Sequence, residues 1–292
     1  MVNKAIIMAG GNGTRLRPST FVVNKHLIPI YDKPLIYYSI SIIMLLGIRN
    51  ILIIVNKNEK KAFYKLLGNG SNFGIKIEYK EQNKPSGIPD GLILGEKFIN
   101  NQEVALILGD NIFYGQGLVD IIKSSMKIKK GAKIFAYPVK NPKDFGIVEL
   151  KNNKISKLIE KPKKTNSNLA ITGLYFFDKN VTKIAKKLKP SKRNETEIIE
   201  VLKHYQKKNN LHLRQLGRGS AWLDTGTFSG NLACSNFVQV IEERQNNKIA
   251  CLEEIAFKKR WISKKKILEI IKKFGKCDYA DYLKKVANKI VI

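Results

Sequence analysis

Met8-Ala9-Gly10-Gly11-Asn12-Gly13-Thr14-Arg15-Leu16-Arg17-Pro18 follows directly on a short apolar run, Ala5-Ile6-Ile7. The run reads as a buried first strand, and the glycines as the turn that leaves it. Three glycines in four positions let the backbone bend sharply and approach a ligand with no Cβ in the way. Their N–H groups can converge on phosphate oxygens, and Arg15 offers a planar fork for bidentate phosphate binding. The same residues also suit a plain strand-to-helix turn with a surface arginine. Two familiar loops are excluded. A dinucleotide fingerprint counted from Gly11 needs a third glycine where Leu16 stands, and a P-loop counted from Gly10 needs its lysine at Arg15-Leu16.

Outward from this stretch, strand-like runs at 5–8, 50–55, 76–80 and 104–108 alternate with helix-like runs at 34–46 and 59–67. Asp32 and Asn58 read as helix openers, Gly47 and Gly68 as stops. The alternation predicts an α/β fold with a doubly wound, Rossmann-like mixed sheet. Ligands bind such sheets beyond the carboxyl ends of the strands. The glycine loop and Gly109-Asp110-Asn111 both lie at such ends. Further strands are expected at 132–139, at 145–150 and 154–159 about an Asn152-Asn153 turn, at 170–177 and at 211–216. Helices are expected at 181–188 and 195–207. Residues 1–227 then form the α/β core, and 228–292 a helical segment packed on it and used between subunits, within one domain overall.

The chain has 292 residues, 43% of them apolar, enough for a sizeable core. It begins with the first strand, leaving no room for a signal peptide. The longest apolar segment, 35–48, is broken by Ser39 and Ser41 and is shorter than the roughly 20 residues that span a bilayer. Cys234, Cys251 and Cys277 are widely spaced and suggest neither disulfides nor zinc. A soluble cytoplasmic protein is expected. The net charge of +29 comes mostly from lysine, since only 8 of 53 basic residues are arginine. Without basic runs interleaved with aromatics, this charge favours small anionic substrates over nucleic acid.

Asp110 and Asp224, in Leu108-Gly109-Asp110 and Trp222-Leu223-Asp224-Thr225-Gly226, each follow an apolar stretch and border a glycine turn. Each alone suits a turn or helix cap; together, beside a phosphate-binding loop, they suit a magnesium pair. Lys25 in Asn24-Lys25-His26-Leu27 and Lys161 in Glu160-Lys161-Pro162 stand out by context among the 45 lysines.

Ala9-Gly10-Gly11-x-Gly13-Thr14-Arg15-Leu16-x-Pro18 resembles the signature of the sugar-phosphate nucleotidylyltransferases. Lys25 to Pro29, Tyr31 to Tyr38, Leu108 to Gly115, Glu160 to Pro162, Thr172 to Phe176, Ala221 to Thr227 and Ile241 to Gln245 extend the resemblance almost end to end. It is nearest to the short, homotetrameric thymidylyltransferases of that family. The resemblance implies in-line transfer of dTMP from dTTP to glucose 1-phosphate with Mg²⁺. It implies nucleotide contacts at Met8, Ala9, Gly10, Gly11, Gly13, Thr14, Arg15, Gln82, Gly87 and Asp110. It implies sugar-phosphate contacts at Asn111, Phe145, Gly146, Glu160, Lys161, Thr172 and Tyr175. Arg15, Lys25, Asp110, Lys161 and Asp224 would carry catalysis, with Asp110 and Asp224 on the metal. His26 stands where glutamine is usual and Phe145 where tyrosine is usual. The segment 83–91 is also unusual, and its Pro89 suits a helix's first turn. The alternatives are UTP or another sugar 1-phosphate, and a non-catalytic sugar-nucleotide-binding subunit.

Overall fold

The computed structural model describes residues 1–191 and 194–288; the last four residues of the expected helical segment, 289–292, lie outside it. The strand β1 (Lys4–Ala9) leads into three single turns of 3₁₀ helix, at Thr14–Leu16, Ser19–Phe21 and Lys25–Leu27. A two-residue hairpin, β2 (Pro29–Ile30) with β3 (Lys33–Pro34), precedes α1 (Ile36–Leu45). Then come β4 (Asn50–Asn56), α2 (Lys60–Leu67), β5 (Lys76–Gln82), α3 (Ile88–Leu94), α4 (Glu96–Ile99) and β6 (Val104–Leu108). The middle holds β7 (Asn111–Tyr114), α5 (Leu118–Ser124), β8 (Ala132–Pro138), β9 (Gly146–Lys151), β10 (Lys154–Glu160) and β11 (Leu169–Phe177). After α6 (Val181–Ala185), α7 (Ile198–Lys207), β12 (Leu211–Gln215) and β13 (Ala221–Asp224), the chain is helical: α8 (Phe228–Gln245), α9 (Leu252–Lys258), α10 (Lys264–Phe274) and α11 (Asp278–Ala287).

The main sheet is doubly wound and mixed, as expected. Its strand order across the described residues is β10-β9-β11-β6-β1-β4-β5, with β8 on the other side of β11 and β12 beyond it. β1 is central and pairs in parallel with both β4 and β6, placing Ile6 opposite Leu52 and Leu106. Both faces of β1 are therefore covered, which is why it reads as continuous apolar sequence. Ala5 and Ile7 enter the core under α1 and α9, while Ile6 enters the core under α3, α6 and α7. The chain turns to opposite sides of the sheet about β1, so the glycine loop leaves at a topological switch point.

Local chemistry accounts for the elements around the site. Asn152 and Asn153 both adopt positive φ, at 51° and 59°, as a two-residue hairpin turn between β9 and β10 requires. Pro89 lies in the first turn of α3. Gly91 is a poor helix former, but a Cβ there would lie 2.2 Å from Met8 Sδ, so a larger residue would require the Met8 side chain to move. The apolar segment 35–48 is mostly α1, covered on every side. Its Ser39 donates to the Leu108 carbonyl at 3.0 Å and Ser41 to the Tyr38 carbonyl at 2.7 Å. No described helix is long and apolar enough to cross a membrane.

Two sequence expectations are corrected. Asp32 does not open a helix at 34: α1 begins at Ile36, and the Asp32 carboxylate is paired with Lys33 and Lys248. The helix expected from 195 begins at Ile198, because Thr196 bonds sideways to Ser86 and holds the preceding residues out of the helix.

The Asp32 pairs belong to a buried ionic cluster joining the β2–β3 hairpin to the C-terminal helices. The Lys33 side chain is 2% exposed and meets Glu242 Oε1 at 2.8 Å. Glu242 also accepts from the Ile249 N–H at 2.8 Å and meets Lys248 at 3.3 Å. Two cations and two carboxylates balance there, which is what makes their burial tolerable. Replacing Glu242 with glutamine leaves two ammonium groups sharing one carboxylate. Glu242→Gln is therefore expected to lower unfolding free energy by about 3 kcal/mol, read as a fall in the urea midpoint at unchanged slope; an unchanged midpoint would show the cluster to be energetically idle.

Candidate active site

The three loop glycines are glycines for three different reasons. Gly13 has φ +58°, and a Cβ on it would lie 2.8 Å from Thr20 Cγ2. Gly10 leaves room for another side chain: a Cβ there would lie 2.1 Å from Gln82 Nε2, which donates to the Gly10 carbonyl at 2.6 Å. A Cβ on Gly11 would meet nothing within 4 Å, so neither strain nor packing demands a glycine there. Close approach of a ligand remains the physical reason for it.

The loop walls one lobe of a two-lobed cleft at the carboxyl ends of the central strands. This first lobe, about 420 Å³, is bounded by Met8, Gly10 to Arg15, Lys25, Gln82 and Gly87. The second, about 240 Å³, is bounded by Asn111, Phe145, Gly146, Glu160, Lys161, Tyr175, Trp222 and Asp224. Arg15, Gly87, Ile88, Leu108, Asp110 and Glu195 border both lobes, so their junction carries an arginine of the loop and two carboxylates.

The strands bring the junction together. β7 pairs antiparallel with β13, setting Asp224 opposite Asn111 and hence beside Asp110. Thr225 Oγ1 donates to the Asp110 carbonyl at 3.1 Å and ties the two turns. Asn111 is buried and fully engaged. It donates to Asp110 Oδ1 at 2.9 Å, while its Oδ1 accepts from Trp222 Nε1 at 2.6 Å and from the Gly173 N–H at 2.9 Å. Trp222 packs edge-on against Phe145 at 5.2 Å between ring centres. One asparagine thus locks an acid of the junction to an aromatic wall of the second lobe.

The electrostatics of the two acids differ. Burial pushes the Asp110 carboxyl up, but the ion pair with Lys25, neighbouring His26 and donated bonds from Lys25 and Asn111 hold it below the usual carboxylate range. Burial raises the Asp224 carboxyl, and the Asp110 charge raises it further, against opposition from Lys25 and Arg15. Two carboxylates that repel across a wet junction form an oxygen donor set suited to a hard divalent cation, with phosphate and water completing it. Among the described residues, no group of three or more His, Cys, Asp or Glu comes together for a metal. The pair fits a cation shared with substrate better than a closed structural site. In the second lobe, Lys161 has φ +43° and donates its N–H to the Phe145 carbonyl at 3.0 Å. A left-handed lysine costs on the order of 1 kcal/mol, and here it bounds the cleft.

Most residues expected from the sequence bound one lobe or the other. Ala9 and Thr172 do not: both are fully buried, and Thr172 Oγ1 has no hydrogen-bond partner among the described residues. Its neighbours Ile171 and Gly173 face the lobe instead. Sequence reasoning missed Asn12, Trp222 and the segment 195–199 as walls. The last comes from a loop far along the chain with no local signature. His26 was noted only as an unusual residue. It borders the first lobe, with Asn24 Oδ1 accepting from both its backbone N–H at 2.8 Å and its Nδ1 at 2.9 Å. Nδ1 must then carry the proton, leaving Nε2 as an acceptor.

A glycine loop at the switch point of a doubly wound sheet, opening on a cleft that holds Arg15, Lys25 and Lys161 among carboxylates, defines a nucleotide-binding α/β protein. The nucleotidyl transferase family model matches residues 4–240, and the chain belongs to that family. It is 47% identical to the glucose-1-phosphate thymidylyltransferase of Neisseria meningitidis, over 98% of this chain and all of that one. It is 45% identical to the enzyme of the same name from Mycolicibacterium smegmatis, over 98% of this chain and 99% of that one. A Bacillus anthracis structure described as a glucose-1-phosphate thymidylyltransferase and solved with sucrose aligns with TM-score 0.75 and 36% identity, covering 80% of this chain and 94% of that one. A UDP-glucose pyrophosphorylase solved with UDP-glucose, at 24% identity and TM-score 0.73, covers 82% of this chain and all of that one and shares the fold.

Burial lowers the His26 pKa from 6.5 to about 4, with Asp110 opposing and Lys25 adding to the fall. The folded protein holds His26 neutral where the unfolded chain protonates it. Its effect on stability is absent above pH 6.5, and destabilisation grows as pH falls from 6.5 to about 4. His26→Gln should flatten the pH dependence of the melting temperature in that window; equal slopes in both proteins would refute a buried neutral imidazole.

Proposed function

We propose that this chain transfers dTMP from dTTP to glucose 1-phosphate, giving dTDP-glucose and pyrophosphate, with Mg²⁺. The observation that carries this reading is the pair of lobes meeting at Arg15 and Asp110, with Asp224 beside that junction on the wall of the second lobe. Its near full-length relatives bear the name of this activity.

The first lobe takes the nucleotide. Gln82 Nε2 is committed to the Gly10 carbonyl and to Asn56 Oδ1 at 3.0 Å, so Oε1 is left to accept from a base. A pyrimidine with N3–H, thymine or uracil, supplies that donor. Met8 and the loop amides from Gly10 to Thr14 lie along the nucleotide, with Gly87 on the base side. Arg15 and Lys25 hold the phosphates, and Arg15 stabilises the departing pyrophosphate. The second lobe takes the sugar phosphate. Lys161 positions its phosphate, and Asn111, Phe145, Gly146, Glu160 and Tyr175 surround the sugar. A sugar phosphate is already ionised at neutral pH, so no general base is needed. The protein's work is alignment of the attacking oxygen with the α-phosphorus and stabilisation of the charge that spreads over the phosphates. Asp110 and Asp224 would hold the magnesium ion, which would supply further neutralisation of phosphate charge.

We place the active form in a homotetramer in the cytoplasm. The α8 helix carries Phe228, Leu232 and Val240 exposed along its length, and Phe21 and Val22 project from the loop after the glycines. Such outward apolar residues suit contacts between copies of the chain. Residues 1–227 would form the catalytic core and 228–292 the packing segment. The lysine-rich surface serves small anions rather than nucleic acid or a membrane.

Pyrophosphate release from glucose 1-phosphate and Mg²⁺ with each nucleoside triphosphate tests the reading. dTTP should be the best donor; a clear preference for UTP, or turnover only with another sugar 1-phosphate, would reassign the substrate. Asp110→Asn should lower kcat by about a hundredfold or more with the melting temperature kept. Near wild-type turnover would remove Asp110 from the metal site. The loop glycines should separate fold from binding. Gly11→Ala is expected to weaken nucleotide binding by about tenfold without changing stability, whereas Gly10→Ala should destabilise through Gln82, by about 1–3 kcal/mol. Identical profiles for the two variants would show that Gly11 does not meet the ligand.

A further inference from the structure

We propose that Thr196 couples the two lobes, so that nucleotide binding strengthens sugar-phosphate binding through it; the inference rests on the two-substrate reading above. The Ser86 carbonyl accepts twice from Thr196, from its N–H at 2.8 Å and from its Oγ1 at 2.9 Å. The two residues are 110 positions apart. Ser86 lies in the segment joining β5 to α3, between Pro85 and Gly87, which both border the nucleotide lobe. Thr196 borders the sugar lobe together with Ile198 and Ile199, the first residues of α7.

Contact at this crossing is too tight to be incidental. A Cβ on Gly87 would lie 2.0 Å from the Thr196 carbonyl oxygen, and Gly87 itself has φ +106°. The two backbones therefore move together or not at all. The positive-φ glycine and the doubled hydrogen bond both fall on this crossing between the 83–87 and 195–199 segments. From Thr196 the path continues to the sugar side by direct packing. Ile199 Cδ1 lies 3.0 Å and Glu160 Oε2 3.3 Å from where a Gly146 Cβ would be. A base seated against Pro85–Gly87 fixes the Ser86 carbonyl, which fixes Thr196. That in turn sets the start of α7 against the Gly146–Glu160 wall.

A threonine at 196 has a specific part in this. Its backbone N–H alone would hold the crossing through one bond, in a direction the peptide can rock about. The hydroxyl adds a second bond to the same oxygen and restricts that rocking. Thr196 is thus a positioning residue, acting on the sugar through the α7 start. By linkage, whatever factor the nucleotide adds to sugar-phosphate affinity is returned to the nucleotide.

Titration calorimetry of the full chain with glucose 1-phosphate, alone and with saturating thymidine α,β-methylene triphosphate and Mg²⁺, measures the coupling directly. In the wild type the nucleotide should tighten glucose 1-phosphate binding. Thr196→Val keeps the shape and the backbone bond but loses the hydroxyl, and should reduce that coupling by about fivefold, the scale of one neutral hydrogen bond. A loss of affinity for glucose 1-phosphate alone with the coupling intact would make Thr196 a wall of the lobe only and overturn the inference. Thr196→Ser retains the hydroxyl and should restore the coupling, which a role in holding the loop alone would not predict. Coupling absent from the wild type, or undiminished in Thr196→Val, overturns the inference while leaving the activity standing. Failure of the wild type to bind the thymidine nucleotide overturns the substrate reading and the inference with it.

Discussion

The structure depends on a strand hydrogen-bonded on both edges and buried on both faces. β1 has β4 along one side and β6 along the other, and helices cover it above and below. Such a strand leaves no polar backbone group for anything but its own ladder until it ends. Its carboxyl end is therefore where unpaired N–H groups first become available to a ligand. The glycine loop begins there, and Asp110 emerges from the neighbouring β6 at the same level. A phosphate-binding cleft at this point follows from the sheet's geometry and not from the loop alone.

The second organising constraint is charge held out of water. Asp110 stays ionised because Lys25 and Asn111 compensate its burial, and that ionised form in turn makes Asp224 harder to ionise. The pair is an oxygen donor set of the kind a hard divalent cation takes. A similar balance, with no ligand involved, operates at Lys33, Asp32, Glu242 and Lys248, where the C-terminal helices are bonded to the hairpin beside Lys25. The helical segment consequently does more than cover the core: it holds the short run of chain between Lys25 and α1. Both clusters show opposite charges used in pairs, in a chain whose overall balance is far from neutral.

Much of this was legible in the sequence, and the reasons are local. The strands β1, β4 and β6 read as apolar runs because they are buried on both faces. The Asn152-Asn153 turn was readable because both residues tolerate left-handed backbone. Pro89 announced the first turn of α3. The acids at 110 and 224 were readable as strand-end carboxylates, although only the β7–β13 register puts them side by side. Asp32 misled because a helix-opening aspartate and an ion-pairing one have the same sequence appearance. Ala9 and Thr172 were placed in the site by motif, yet their side chains point into the core, since strand alternation turns every second residue away from a cleft.

What the sequence determined by itself was the class of sheet, the phosphate-suited loop and the residue types of the site. Backbone conformation, strand burial and turn chemistry are set by neighbours within a few residues, and these are all present in the linear text. The tertiary structure decided which glycine serves which purpose and which residues meet. Gly10 is explained by Gln82, 72 residues away. Gly87 is explained by Thr196, and Thr196 by Ser86. These are steric exclusions and hydrogen bonds between distant segments, and they come into being only when the sheet has closed around β1. The opening loop thus carries separate constraints from the fold at Gly10 and Gly13, and none at Gly11, where the space is open.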